Sequence, residues 1–125
     1  MNKNKIILHI SHVIVSLLLL YIAINQKVNL LFYNIIFVIS IVAIVYHIIK
    51  FYNTHYWLYL FHLIVILPVI FMVGLLKYDT PDYLYKILMF IAFGTIGYHG
   101  YNLLKDQLNI YHGSILAIIL IILFV

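Results

Sequence analysis

Long apolar stretches are the feature that most constrains the fold of this chain. A helix needs about 20 mainly apolar residues to cross about 30 Å of hydrocarbon, and four stretches meet that requirement, at residues 6–24, 30–49, 57–76 and 84–104. Hydrophobic residues make up 67% of the 125 residues and charged residues only 8%, a balance that a small water-facing domain could not hide. The sequence therefore predicts an all-α, polytopic transmembrane helical bundle and excludes soluble enzyme folds.

A fifth apolar run, residues 110–125, is shorter and reaches only about 24 Å as a helix. Its last part, residues 115–125, carries no polar side chain, whereas a helix lying on the membrane surface should have a polar face. We therefore expect five spans, four of full length and a short C-terminal fifth. The first stretch follows two lysines, as in a secretory signal, but it lacks a convincing cleavage site and is expected to be retained.

Aligned His and Tyr residues indicate that a two-helix unit occurs twice. Placing His12 over His62 brings the first and third stretches into register, and a two-residue difference in the intervening loop does the same for the second and fourth. The less common residues that then match are Tyr33 with Tyr85, Tyr46 with Tyr98 and His47 with His99. Continuing the interval places His112 at the start of the final run. The predicted organisation, within one membrane domain, is helical-hairpin repeat 1 (residues 1–50), repeat 2 (51–105) and a C-terminal half-repeat helix (106–125).

Short connections make consecutive helices antiparallel, which brings the histidines towards one membrane face. The predicted layer consists of His12, His47, His62, His99 and His112, joined by His9 on the first helix and His55 in a loop. Lys3, Lys5, Lys50 and Lys105 lie on the same side and three lysines on the other, so the positive-inside rule makes the His side cytosolic. An aromatic belt is expected on the opposite side, formed by Tyr21, Tyr33, Tyr78, Tyr83 and Tyr85.

The His layer is the candidate functional site, because ionisable side chains inside a membrane are costly and often functional. One interpretation is structural, since neutral His beside Tyr at a helix end hydrogen-bonds headgroups, water or a neighbouring helix. A second is that two His hold haem b, or three hold a divalent metal, with Tyr46, Tyr98 and Asp106 as outer partners. A third is that the layer relays protons or senses pH.

Enzymatic chemistry has little support in the sequence. The chain contains no cysteine, and it has no H-E-x-x-H motif, Ser-His-Asp set or paired carboxylates. We therefore assign no catalytic residue and expect a non-enzymatic protein. The net charge of +4 comes from scattered lysines without arginine, so the expected partner is the lipid bilayer and not nucleic acid.

Two backbone features of the later stretches affect helix packing. Gly94, Gly97 and Gly100 form a ridge of small residues that lets another helix approach closely. We expect helix packing there, including self-association into a homo-oligomer, and a gating hinge is the alternative. Pro68 cannot donate a hydrogen bond to the Ile64 carbonyl, which predicts a kink in the third stretch.

Two runs in the second half carry a resemblance to known proteins: residues 61–68, FHLIVILP, and residues 80–101, TPDYLYKILMFIAFGTIGYHGY. They resemble small multi-pass proteins encoded by large nucleocytoplasmic DNA viruses, which share an H-L-x-x-x-x-P helix, a loop with Pro and a closing G-Y-H-x-Y motif. The match is best over residues 57–105 and fainter over the first repeat, where the Pro and the flanking Gly are missing. The resemblance implies a virion or host internal membrane and supplies no activity. Together these observations predict a structural or assembly component of a viral membrane.

Overall fold

The computed structural model describes residues 2–107, 118–119 and 121–123. Its helices are α1 (Lys3–Asn25), α2 (Leu30–Thr54), α3 (Trp57–Phe61), α4 (Leu67–Leu76) and α5 (Asp82–Gln107). A π-helical turn, His62–Ile66, joins α3 to α4, and a 3-10 turn, Lys77–Asp79, follows α4. The segments long and apolar enough to cross a membrane are Lys3–Asn25, Leu30–Thr54, Trp57–Asp79 and Asp82–Lys105. For the described part of the chain, the prediction of a helical bundle with four membrane-length helices is confirmed.

The predicted fifth span falls mostly outside the described residues. Within 110–125, residues 118–119 and 121–123 are described and helical, while His112 lies outside the described part. The count of five spans and the half-repeat helix therefore stay predictions.

Helix α2 is longer than the sequence predicts. We expected a break over residues 50–56, but the helix continues to Thr54. His55 then ends it in a left-handed conformation with φ of 52°, and its backbone N–H donates to the Phe51 carbonyl at 2.7 Å. At the other end of α2, the Asn29 side chain accepts a bond from the Leu31 N–H at 2.9 Å, as a helix N-cap does. The polar residues that were expected in a loop therefore form the last turn of α2 and its C-cap.

The third span is irregular near Pro68, where the sequence predicts a kink and the structure has a π-turn. Pro68 lacks an N–H and its ring crowds the carbonyl four residues earlier. The structure accommodates it with the π-turn His62–Ile66, upstream of the proline, where the Leu67 N–H donates to the carbonyl of His62. A π-turn adds one residue to a helix without ending it, so α3, the π-turn and α4 form one continuous span.

The contacts divide the chain into two compact units, Leu18–Ala92 and the combination of Met1–Leu17 with Phe93–Val125. In the larger unit, α2 packs along the third span, and the buried residues come from all four membrane-length helices. On α2 and α4 they are Tyr33, Ile36, Ser40, His47, Leu67, Ile70, Val73 and Gly74. On α1 and α5 they are Leu19, Leu20, Ile22, Ala23, Tyr85, Leu88 and Ala92. In the smaller unit, the described side-chain contacts join the first part of α1 to the last part of α5.

Large apolar side chains remain exposed along every span. Phe90 on α5 is 80% exposed, Ile64 in the π-turn 66% and Val42 on α2 64%. Soluble monomers rarely carry contiguous apolar surface on this scale, whereas a helix in a bilayer exposes such side chains to lipid without cost. The exposed apolar surface is thus what a membrane-embedded bundle requires.

Gly74 allows α4 to approach α2 closely. A Cβ atom at this position would lie 2.8 Å from the Cα of Phe37 and 2.9 Å from its backbone nitrogen. The rings of Phe37 and Phe71 pack beside this contact, with centroids 5.2 Å apart. The glycine ridge predicted on α5 differs, because no described atom lies within 4 Å of a Cβ added at Gly94, Gly97 or Gly100. Close packing of those glycines against another helix stays a prediction.

We expect Gly74→Ala to destabilise the protein, because the new methyl group meets backbone and the two helices must separate. Overpacking of this kind costs about 1–3 kcal/mol. In detergent-separated monomers Gly97→Ala is the matched control, since no described atom of the same chain lies within 4 Å of its methyl group and alanine is the better helix former by up to about 1 kcal/mol. Thermal unfolding of both variants in detergent measures the difference. Equal stability of Gly74→Ala and the parent protein would show that the close contact is absent.

Candidate functional site

Two clusters of imidazole and phenol rings contain the histidines that the structure brings into contact. The first, the His47 cluster, lies in the larger unit and consists of Tyr46, His47, Tyr59 and His62. His47 is 5% exposed, and its ring stacks on His62 with centroids 4.8 Å apart and planes at 21°. Tyr46 and Tyr59 meet the His47 ring edge-on, at 5.3 and 5.8 Å. The stack therefore joins α2 to the π-turn of the third span.

Hydrogen bonds to the backbone fix the proton position on both rings of this stack. The Nδ1 atom of His47 lies 2.7 Å from the Ala43 carbonyl, and that of His62 lies 2.6 Å from the Leu58 carbonyl. A carbonyl oxygen can only accept, so Nδ1 is the protonated nitrogen in each ring. Each histidine donates to the carbonyl one turn back on its own helix while its ring face contacts the neighbouring helix.

The second group, the His99 cluster, lies in the smaller unit and consists of His9, His12, Tyr98 and His99. His99 is 7% exposed, and His12 stacks on it at 4.2 Å with planes at 24°. Tyr98 meets the His99 ring edge-on at 5.0 Å. His12 donates its Nδ1 proton to the Leu8 carbonyl at 2.7 Å, in the same way as the two rings of the His47 cluster.

His9 and His99 are linked by a hydrogen bond between two ring nitrogens. Their Nδ1 atoms are 2.7 Å apart, and the ring centroids are 5.0 Å apart with planes at 50°. One Nδ1 must carry a proton and the other must offer a lone pair, so the two rings are in opposite tautomers. This contact ties α1 to α5.

In the larger unit, a network of tyrosine hydroxyls forms hydrogen bonds with backbone carbonyls of the turns. The Tyr33 hydroxyl donates to the Gln26 carbonyl and lies 2.6 Å from the Tyr85 hydroxyl. The Tyr85 hydroxyl also lies 3.1 Å from the Lys77 carbonyl and 3.4 Å from the Gln26 carbonyl, so its single proton goes to Tyr33, Lys77 or Gln26. Gln26 and Lys77 have left-handed backbones, with φ of 56° and 54°. The network therefore holds the two turns that require unusual backbone conformations.

Tyr78 extends the same network, because its hydroxyl donates to the Val28 carbonyl at 2.7 Å and its ring meets Tyr33 edge-on. Sequence reasoning assigned Tyr33 and Tyr85 to an aromatic belt, which was wrong: the two residues are 0% and 3% exposed. Tyr21, Tyr78 and Tyr83, at 47%, 54% and 62% exposed, do lie on the surface. The match of Tyr33 with Tyr85 in the repeat alignment was the signal that could have found the buried pair.

The predicted site residues are thus grouped in two pairs, His12 with His99 and His47 with His62. His55 ends α2 and takes part in an edge-on contact with Phe51 at 6.0 Å. His112 and the side chain of Asp106 lie outside the described part of the chain. A single layer containing all five candidate histidines stays a prediction.

The geometry of the stacked pairs bears on the haem and metal interpretation. Axial ligation of haem needs two imidazole nitrogens directed at an iron from opposite sides, whereas the rings of His47 and His62 turn their faces to each other. The bonds from their Nδ1 atoms to carbonyls do not decide the question, because a metal-ligating histidine commonly makes the same outer hydrogen bond. Among the described residues, no group of three or more His, Asp or Glu side chains is arranged to hold a metal ion. The pairs as they stand do not fit either group.

Comparisons of this chain with protein-family models, with curated proteins and with solved structures find no match. They lend no support to the viral resemblance, which stays a prediction. The function has to be inferred from the geometry.

We expect Tyr33→Phe and Tyr85→Phe each to destabilise the larger unit, because each removes a hydroxyl from a buried network. A buried polar group left without its partner costs about 1–3 kcal/mol. Since the two hydroxyls contact each other, the double variant should lose less than the sum of the single losses. Unfolding free energies in detergent measure this, with exposed Tyr83→Phe as the control. Strictly additive losses would contradict direct coupling.

Proposed function

We propose that this protein is a multi-pass membrane protein with a structural, non-enzymatic role, as an assembly component of a membrane that the sequence resemblance makes viral. The observation that carries the proposal is how the polar side chains within the spans are used. The rings of the His47 and His99 clusters and the hydroxyls of the tyrosine network contact one another or backbone carbonyls. No buried side-chain nitrogen or oxygen of the described residues lacks a partner.

Polar contacts of this kind hold helices together where hydrophobic packing alone gives little preference, because lipid tails are as apolar as leucine side chains. In this proposal, the polar side chains of the two ring clusters and of the tyrosine network stabilise the contacts between helices. In this proposal the lipid bilayer is the main partner, the His side faces the cytosol, and the open glycine ridge of α5 is the surface for a second copy of the chain.

We further propose that the bundle arose by duplication of a helical hairpin. The buried faces of α2 and α5 support this, because each buried residue of α2 has a buried counterpart 52 residues later. The pairs are Tyr33 with Tyr85, Ile36 with Leu88, Ser40 with Ala92 and His47 with His99. Helical periodicity sets the spacing of the buried positions on each helix, and the match of the Tyr and His pairs at the same interval adds to the argument.

The π-turn explains part of the length difference between the two hairpins. Before it, His12 corresponds to His62 at an interval of 50, and both donate Nδ1 protons to equivalent carbonyls, of Leu8 and Leu58. After it, the interval is 51, which pairs the buried residues Ser16 with Leu67, Leu19 with Ile70, Ile22 with Val73 and Ala23 with Gly74. The left-handed residues Gln26 and Lys77 are also 51 apart. One extra residue therefore sits in the π-turn, and the second follows Lys77.

The ring contacts repeat in the same way. The stack of His12 on His99 corresponds to the stack of His62 on His47. His9, which contacts His99, corresponds to Tyr59, which contacts His47. Each pair joins a helix of one hairpin to a helix of the other, as a parallel repeat about an axis along the membrane normal requires.

The duplication predicts that the extra residue can be removed. We expect deletion of Val65 combined with Pro68→Leu to yield a regular helix that keeps the register of both His62 and Leu67, because Leu17 occupies the equivalent position in α1. Deletion of the equivalent Val15 is the control, since it turns everything after it by about 100° in a regular helix. Thermal unfolding in detergent should show the first variant close to the parent and the second strongly destabilised. Equal losses would refute the register.

The second candidate function is proton handling, which the stacked imidazoles favour; the same stacks do not favour the haem or metal alternative. For a structural component we expect purified protein in detergent to show no Soret band and no stoichiometric metal by elemental analysis, and its reconstitution to add no proton flux to liposomes. A Soret band that shifts on reduction would overturn the structural proposal. So would proton flux that disappears in the His47→Ala, His99→Ala double variant.

A further inference from the structure

The hydrogen bond between His9 and His99 exists in only some protonation states. Its two Nδ1 atoms, 2.7 Å apart, hold one proton between them. When both rings become imidazolium, both Nδ1 atoms carry a proton and two donors face each other. The bond then cannot form, and two positive charges confront each other at the distance of a ring contact. The contact between α1 and α5 in the smaller unit is therefore sensitive to the number of bound protons.

We propose that the His9–His99 contact is a proton-operated latch between α1 and α5, closed while the two rings share a single Nδ1 proton and released when both are charged. Acidification supplies the second proton to imidazole, so lowering the pH releases the latch. The inference goes beyond the structural role, since it gives the bundle a response to pH.

The neighbouring groups favour release once the protons are bound. The titratable rings that contact His99 are His9 and His12 on α1 and Tyr98 on α5. Lys5 lies one turn from His9 on α1, on the same side of the helix. His12 adds positive charge against the ring of His99 when it is protonated.

The His47 cluster provides an internal contrast. Its two histidines donate their Nδ1 protons to backbone carbonyls, and protonation at Nε2 leaves these bonds in place. Tyr59 occupies the position equivalent to His9, and its ring meets the ring of His47 edge-on. The titratable and charged groups nearest this stack are Tyr46, Tyr59 and Lys50, whose ammonium group lies 5.7 Å from the centre of the Tyr46 ring. The nitrogen-to-nitrogen bond that the structure describes thus lies in the His99 cluster.

The test measures the distance between α1 and α5 as a function of pH. Because the chain has no cysteine, spin labels can be placed at Ile7→Cys and Tyr101→Cys, which are 56% and 66% exposed in the parent. In lipid nanodiscs we expect one distance population at about pH 8 and a second, longer one at about pH 5, the limits of imidazole titration. The longer population should disappear when the pH is returned. A distance that does not depend on pH would overturn the latch.

His9→Tyr copies Tyr59 and removes the titratable partner, so it should keep the single short distance at both pH values. His62→Gln alters the other cluster and should leave the pH response unchanged. A His9→Tyr protein that still opens in acid would refute the role of the dyad.

A second measurement keeps the proposal testable if His9→Tyr does not fold. In nitrogen-15-labelled parent protein at about pH 8, where imidazole is largely neutral, the Nδ1 atoms of His9 and His99 should give one protonated and one unprotonated resonance. A coupling across the hydrogen bond should connect them and disappear in acid. Two protonated Nδ1 resonances at neutral pH would also overturn the latch.

Discussion

Any polar group carried into hydrocarbon needs a partner supplied by the chain itself, and the arrangement of this protein depends on that requirement. The backbone meets it by forming helices. The tyrosine network meets it at two turns, where left-handed residues expose carbonyls that Tyr33 and Tyr85 cover with their hydroxyls. The histidines meet it by donating to carbonyls one turn back while stacking on a neighbouring helix. Polar side chains that look like a reactive site in the sequence thus also hold helices together.

The sequence alone predicted the helices because the bilayer sets their length and composition, independent of how they pack. It also paired Tyr33 with Tyr85 and His47 with His99, since these residues are uncommon in an apolar background and stand out in an alignment. The sequence did not indicate features that depend on which residues of another helix lie nearby. The importance of Gly74 comes from Phe37 on a different helix, whereas the regular spacing of Gly94, Gly97 and Gly100 drew attention to a ridge with no described neighbour.

On the proposed duplication, the placement of the extra residue in the third span shows a similar limit. Sequence comparison assigned the whole length difference to a loop, because an insertion inside an apolar helix normally turns the following residues away from the core. A π-turn removes that objection, since it absorbs one residue while the helix continues. Pro68 signals that the regular hydrogen bonding is interrupted nearby, but only the backbone positions the interruption at His62–Ile66. The buried positions before and after the turn can then both match those of α1, at intervals that differ by one residue.

On the proposed duplication, the two ring clusters are copies of one design that differ at a single informative position, His9 against Tyr59. Both residues satisfy the same packing requirement, an aromatic ring against a buried imidazole. They differ in what a proton does to the contact, because tyrosine stays neutral over the range in which histidine titrates. A structural role alone is met equally by either residue. On the latch proposal, the histidine at position 9 adds to this ring contact a hydrogen bond that depends on proton concentration, which a tyrosine there would not.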